Sequence, residues 1–78
     1  MNKPHTFGTS DLSLSTALFC ENHNLEYINT TLWKWYFVFT ETAELKKAVK
    51  EFYDGMLRVD PLEYFNTLKM FKTRLHNN

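Results

Sequence analysis

Leu32-Trp33-Lys34-Trp35-Tyr36-Phe37-Val38-Phe39 is the stretch that decides the architecture. Alternate residues of a strand point to opposite faces, so Trp33, Trp35, Phe37 and Phe39 share one face and Leu32, Tyr36 and Val38 the other, interrupted only by Lys34. A strand this apolar on both faces belongs in the middle of a sheet or under cover on both sides. It needs a neighbour besides the β-favouring run Leu25 to Asn29, to which the short connection Asn29-Thr30-Thr31 joins it as an antiparallel hairpin. Thr6-Phe7 is the only candidate for a short third strand.

Three helices flank this hairpin. Thr9, Ser10 or Asp11 offers an oxygen to the orphan amides that open a helix, and Leu14, Ala17 and Leu18 recur at helical spacing, with Leu12 and Phe19 beside them. The reading is a helix over about 11–21, closed at Asn22-His23-Asn24, since Asn tolerates the left-handed conformation. After Thr40-Glu41-Thr42 the period changes from two to 3.6, and Leu45, Ala48, Val49, Phe52, Tyr53 and Met56 stripe a second helix over about 42–54, which Asp54-Gly55 ends. Its charged face offers the pairs Glu44 with Lys47 and Lys47 with Glu51. The third helix, about 61–76, has the clearest start: Asp60 as N-cap, Pro61 first in the helix and Glu63 three residues after the cap, with Val59 and Tyr64 placed as a hydrophobic staple. Tyr64, Leu68, Phe71 and Leu75 form its stripe, and Leu62, Phe65 and Met70 are expected to widen it.

The order is a short strand, a helix, a hairpin and two helices. Helices against one small antiparallel sheet, an α+β domain, is the economical solution. Seventy-eight residues make one domain, with a short disordered lead over about 1–5, because chains divide into several cores only beyond about 250 residues. Hydrophobic residues are 44% of the chain and aromatic ones 17%, so the core is built from large rings and little is spared to line a substrate cavity.

Nine Lys and Arg balance nine Asp and Glu, which argues against a strongly basic nucleic-acid scaffold. The balance hides a gradient, with acids in excess up to Leu45 and cations in excess after it. Cys20 is alone, so no intramolecular disulfide forms and a reducing cytoplasm suits the chain. No secretory signal or membrane span is read from it: the longest apolar stretch, Trp35 to Phe39, is far below the roughly 18 residues of a spanning helix.

Catalytic chemistry finds little purchase. Cys20 and His23 supply half a zinc site at best, and Cys20 in apolar company, with no glycine-rich oxyanion segment, is a buried thiol rather than a nucleophile or metal ligand. Asp60 and Glu63, like Glu41 and Glu44, are explained as helix-start acids, and Gly8 and Gly55 are too isolated to cradle a phosphate. The expectation is no catalytic residue, no metal and no cofactor. Lys34 to Phe39 superficially resembles the base-stacking strand of RNA-recognition domains, but it lacks that motif's glycines and the chain lacks the four strands. Two surfaces stay of interest. Trp33 or Trp35, flanking Lys34, offers an indole as a binding anchor, and Lys69, Lys72 and Arg74 gather cations near the end of the third helix, with Lys46, Lys47 and Lys50 on the second.

Taken together, Phe7-x-Thr9-Ser10-Asp11-Leu12-x-Leu14, the strand ending Phe37-Val38-Phe39, Thr42-x-Glu44-Leu45, Phe52-Tyr53-x-Gly55, Val59-Asp60-Pro61 and Leu68-Lys69-x-x-Lys72-x-Arg74-Leu75 resemble the domain-of-unknown-function family numbered 5659. The resemblance runs from about Phe7 to Leu75 and rests on caps, core positions and turns. The chain departs from the family's pattern at Glu41, where a shorter acid is usual, and near His23, where a Gly is usual. What the resemblance implies is a small bacterial or phage protein, with no activity and no catalytic residue to carry over.

The expected function is therefore a non-catalytic interaction module, a bacterial or phage regulator that binds another protein through Trp33, Lys34, Trp35, Lys69, Lys72 and Arg74. The alternative is a nucleic-acid-binding regulator that uses the basic third helix. A homodimer would double either patch, and no membrane partner is expected.

Overall fold

The computed structural model describes residues 5–30 and 34–76. In chain order they form β1 (Thr6–Thr9), α1 (Leu12–Cys20), β2 (Leu25–Thr30), β3 (Trp35–Thr40), α2 (Ala43–Tyr53) and α3 (Pro61–His76). The architecture is the expected α+β fold of three helices on a small antiparallel sheet. The expected strand start at Leu32 and Trp33, the connecting Thr31 and most of the expected N-terminal lead lie outside the described residues. His5, the last residue of that lead, is described, and its carbonyl accepts from Glu41 N at 2.8 Å.

The strand order is β1-β3-β2, all antiparallel, so the aromatic strand is central as its two apolar faces required. Its second neighbour is longer than Thr6-Phe7: all of Thr6–Thr9 pairs with Thr40 to Phe37. A bulge between Leu25 and Tyr27 shifts the β2 register, which restores Ile28 opposite Phe37 while Leu25 stays opposite Phe39. Phe7, Leu25 and Ile28 thereby lie on the face of Phe37 and Phe39 and pack against the core. That core unites Phe37 and Phe39 with Leu14 and Leu18 of α1, Leu45 and Ala48 of α2 and Phe71 and Leu75 of α3. All three helices therefore cover one face of the sheet. On the opposite face Val38 is buried, flanked by its pairing neighbours Gly8 and Tyr27, whereas Tyr27 and Tyr36 are exposed.

Helix α1 is the middle of the helical layer and packs on both α2 and α3. Leu14 to Leu18 are all buried, including Ser15 and Thr16. Two buried hydroxyls in a core cost little because each donates to a carbonyl one turn back, Ser15 Oγ to Asp11 O at 2.8 Å and Thr16 Oγ1 to Leu12 O at 2.7 Å.

The ends of α1 and α3 follow the sequence signals, and α2 starts at the expected Thr40-Glu41-Thr42 junction with Thr42, not Glu41, as its cap. Asp11 caps α1 by accepting from Leu14 N, Thr42 caps α2 by accepting from Leu45 N, and Asp60 caps α3 by accepting from Glu63 N. Asn22 adopts φ +66° after α1, and Gly55 φ +75° after α2. In both places the next two amides return to the last turn. Asn22 N and His23 N donate to Phe19 O and Leu18 O, and Gly55 N and Met56 N donate to Phe52 O and Glu51 O.

Three expectations fail. Tyr53 and Met56 do not join the α2 core stripe but stand 62% and 65% exposed: Tyr53 ends the helix with its hydroxyl on Asp11 at the edge of α1, and Met56 follows the turn at Gly55. Leu62, Phe65 and Met70 do not widen the buried face of α3: they point away from α1, the neighbour that α3 packs on. The pairs Glu44 with Lys47 and Lys47 with Glu51 do not form; among the described residues Lys50 instead meets Asp54 at 2.9 Å and Lys46 meets Glu41 at 4.0 Å. Exposed pairs of this kind contribute about 0 to 1 kcal/mol, so small geometric preferences choose among them.

Candidate interaction surface

A single helix, α3, carries the most unusual surface. Its inner side is set by Phe71 and Leu75, both buried, with Tyr64 and Leu68 half-buried on the same side. The Phe71 ring meets Phe37 edge-on at 5.0 Å and Phe19 edge-on at 5.4 Å, which fixes the rotation of the helix about its axis. With that side turned inward, 3.6 residues per turn place Leu62, Phe65, Lys69 and Lys72 along the outside, with Asn66, Met70, Thr73 and Arg74 beside them. Leu62 is 67% exposed, Phe65 59% and Met70 46%.

Cations stand beside and between these apolar side chains. The Lys69 ammonium stands 5.9 Å from the centre of the Phe65 ring, within reach of the ring's negative face. A recess of about 210 Å³ is lined by Phe65, Leu68, Lys69 and Lys72, and a second of about 430 Å³ by Asn66, Lys69, Met70, Thr73 and Arg74. Among the described residues none of Lys69, Lys72 and Arg74 pairs with a carboxylate. On α2, by contrast, Lys46 and Lys50 are already engaged by Glu41 and Asp54. The basic patch expected over two helices is thus divided, and its unpaired part is on α3.

Of the residues singled out in the sequence, Trp33 lies outside the described residues. Lys34 is exposed, and Trp35, at the start of β3, is 45% exposed although it shares the parity of the buried Phe37. It pairs with Thr30 at the end of β2. Among the described residues no hydrogen bond, ion pair or ring contact joins Lys34 or Trp35 to Lys69, Lys72 or Arg74. The two patches are separate features.

Cys20 is half-buried and its thiol donates to Thr67 Oγ1 at 3.6 Å, a link between α1 and α3. Among the described residues no group of three His, Cys, Asp or Glu side chains comes together, and no helix is long and apolar enough to cross a membrane.

Leu62, Phe65 and Met70 are the surface residues that the reading of the sequence misplaced. The signal that identifies them is width: the apolar positions of α3 spread well beyond the stripe that one neighbouring helix can cover.

No protein-family model matches the chain, and no curated protein or solved structure matches it either.

Proposed function

We propose that the chain is a small non-catalytic interaction module that binds another protein, with the outer side of α3 as its principal contact and the Lys34-Trp35 edge as a second one. The observation that carries this reading is the pair Leu62 and Phe65, one turn apart and exposed, with Met70 exposed on the other flank of the outer side, beside three cations that have no carboxylate partner among the described residues. Large apolar residues clustered on a surface mark contact sites, whereas single ones are ordinary. A large apolar anchor with polar and charged residues around it is the usual anatomy of such a contact. The resemblance to small bacterial and phage proteins and the solitary Cys20 favour a regulator that works in a reducing cytoplasm.

The test is affinity purification from a bacterial lysate with the natural chain and with L62S/F65S. The reading expects a stoichiometric protein retained by the first and lost by the second. Equal retention by both, or recovery of nucleic acid in place of protein, overturns it.

A second reading, a nucleic-acid-binding regulator, is favoured by Lys69, Lys72 and Arg74 themselves. It expects affinity for duplex or single-stranded nucleic acid that falls steeply with salt, since each phosphate contact releases counterions. It leaves the exposed Leu62, Phe65 and Met70 without a role.

A further inference from the structure

Resting on that reading of α3, we infer that the partner protein enters the recess enclosed by Phe65, Leu68, Lys69 and Lys72 with one large apolar side chain flanked by carboxylates. These four residues are spaced i, i+3, i+4 and i+7, which makes them the corners of a diamond on one helix face. Such a diamond is the hole that receives a single side chain of a packing partner. The recess measures about 210 Å³. Small-molecule sites run to about 300–1,000 Å³, so this one is sized for a side chain rather than for a metabolite.

The corners fix the chemistry of the occupant. Leu68, half-buried, is the corner nearest the core, and Phe65, 59% exposed, is the one at the N-terminal end. Lysine side chains cover apolar surface with their stems and keep the ammonium in water, so Lys69 and Lys72 add carbon to the lining and charge to the rim. The Lys69 ammonium is 5.9 Å from the centre of the Phe65 ring, and neither lysine meets a carboxylate among the described residues. An apolar side chain that fills the recess therefore carries its neighbours over two ammoniums, which attract acids and repel cations. Lys69 also borders the recess of about 430 Å³, where Asn66, Thr73 and Arg74 add further donors. Leu62, one turn before Phe65 and exposed, continues the apolar surface at the other end. The partner's acids thus lie towards the C-terminal half of α3 and its apolar side towards Leu62.

Other occupants fit less well. A phosphate backbone answers Lys69 and Lys72 but puts nothing apolar against Phe65 and Leu68. A second copy offers its exposed Leu62, but the acids near that residue are turned elsewhere: Asp60 is held as the cap of α3, and Glu63 stands about 100° round the helix.

The inference is tested with three blocked pentapeptides: Asp-Glu-Phe-Glu-Asp, Asp-Glu-Ser-Glu-Asp, which lacks the apolar side chain, and Lys-Lys-Phe-Lys-Lys, which reverses the charge. Each is titrated into the full ¹⁵N-labelled chain and into K69E/K72E, whose folding is checked by circular dichroism. The first peptide is expected to shift the amides from Phe65 to Lys72 and to bind at least about tenfold more tightly than either of the others, with the preference between the two phenylalanine peptides inverted in the variant. Equal binding of the serine peptide removes the apolar anchor and equal binding of the lysine peptide removes the charge assignment; either result overturns the inference and leaves α3 as a contact face. Binding of none of the three also overturns it, and the lysate experiment then decides the broader reading separately. Tighter binding of duplex DNA at the same amides, or self-association seen in sedimentation and lost in F65S, overturns it in favour of that occupant.

Discussion

The ring of Phe71 lies edge-on to that of Phe37, with 5.0 Å between centroids, and this contact joins α3 to the central strand. Phe65, on the same helix, points the other way and is 59% exposed. Two phenylalanines of one helix are thus assigned opposite tasks. F71A should cost about 3–5 kcal/mol, the range for a large ring removed from a core. F65A should stay within about 0.5 kcal/mol of the natural chain, as surface replacements do. Urea denaturation of the two variants measures the difference.

Gly55 and Gly8 are distinguished by backbone rather than by space, since a Cβ at either position meets nothing within 4 Å. Gly55 has φ +75° and closes α2, so G55A should destabilise by about 1 kcal/mol or more. Gly8 has no such conformation and lies in β1 opposite Val38. G8A should be neutral or slightly stabilising, because Gly loses the most conformational freedom on folding. Thermal unfolding of both variants tests the contrast.

Tyr53, although largely exposed, donates its hydroxyl to Asp11 Oδ2 at 3.1 Å, tying the end of α2 to the cap of α1. Partial loss of hydration, that hydrogen bond and the neighbouring Asp11 charge all raise the phenol above its ordinary value of 10.0. The folded state therefore favours the protonated phenol. The contribution is complete below pH 10.0 and fades as pH rises through the raised value. Y53F should lower Tm slightly at neutral pH and abolish the Tyr53 share of the alkaline loss. Tm followed from about pH 8 to about pH 11, around the ordinary phenol value, should show the natural chain and Y53F converging at the alkaline end.

Much of this fold is legible in single residues. Asp11 and Asp60 announce helix starts because a short polar side chain reaches the orphan amides wherever the chain goes next, whereas Thr42, the cap of α2, is not told from Thr40 and Glu41 beside it. Asn22 and Gly55 announce helix ends because few residues accept positive φ. The run Trp35 to Phe39 reveals a central strand through its two apolar faces. What escapes is anything that depends on how many neighbours an element has. The stripe of α3 reads the same whether Leu62, Phe65 and Met70 meet another layer or water, and only the packing of α1, α2 and the sheet settles that they meet water. Ser15 and Thr16 escape for the converse reason: they look like surface residues, yet α1 is enclosed and its own carbonyls satisfy them. The candidate surface is therefore half legible, its cations Lys69, Lys72 and Arg74 from composition and the exposure of its apolar residues only from the fold.

The central claim is that the outer side of α3 is where a partner protein sits. Its most direct measurement is site-specific photo-cross-linking in a bacterial lysate, with the photoreactive residue placed at Phe65 in one preparation and at Glu44, exposed on α2 across α1 from α3, in another. The account predicts a discrete protein adduct from position 65 and none from position 44. An adduct from position 44 alone, or cross-linking at position 65 to nucleic acid instead of protein, would contradict it.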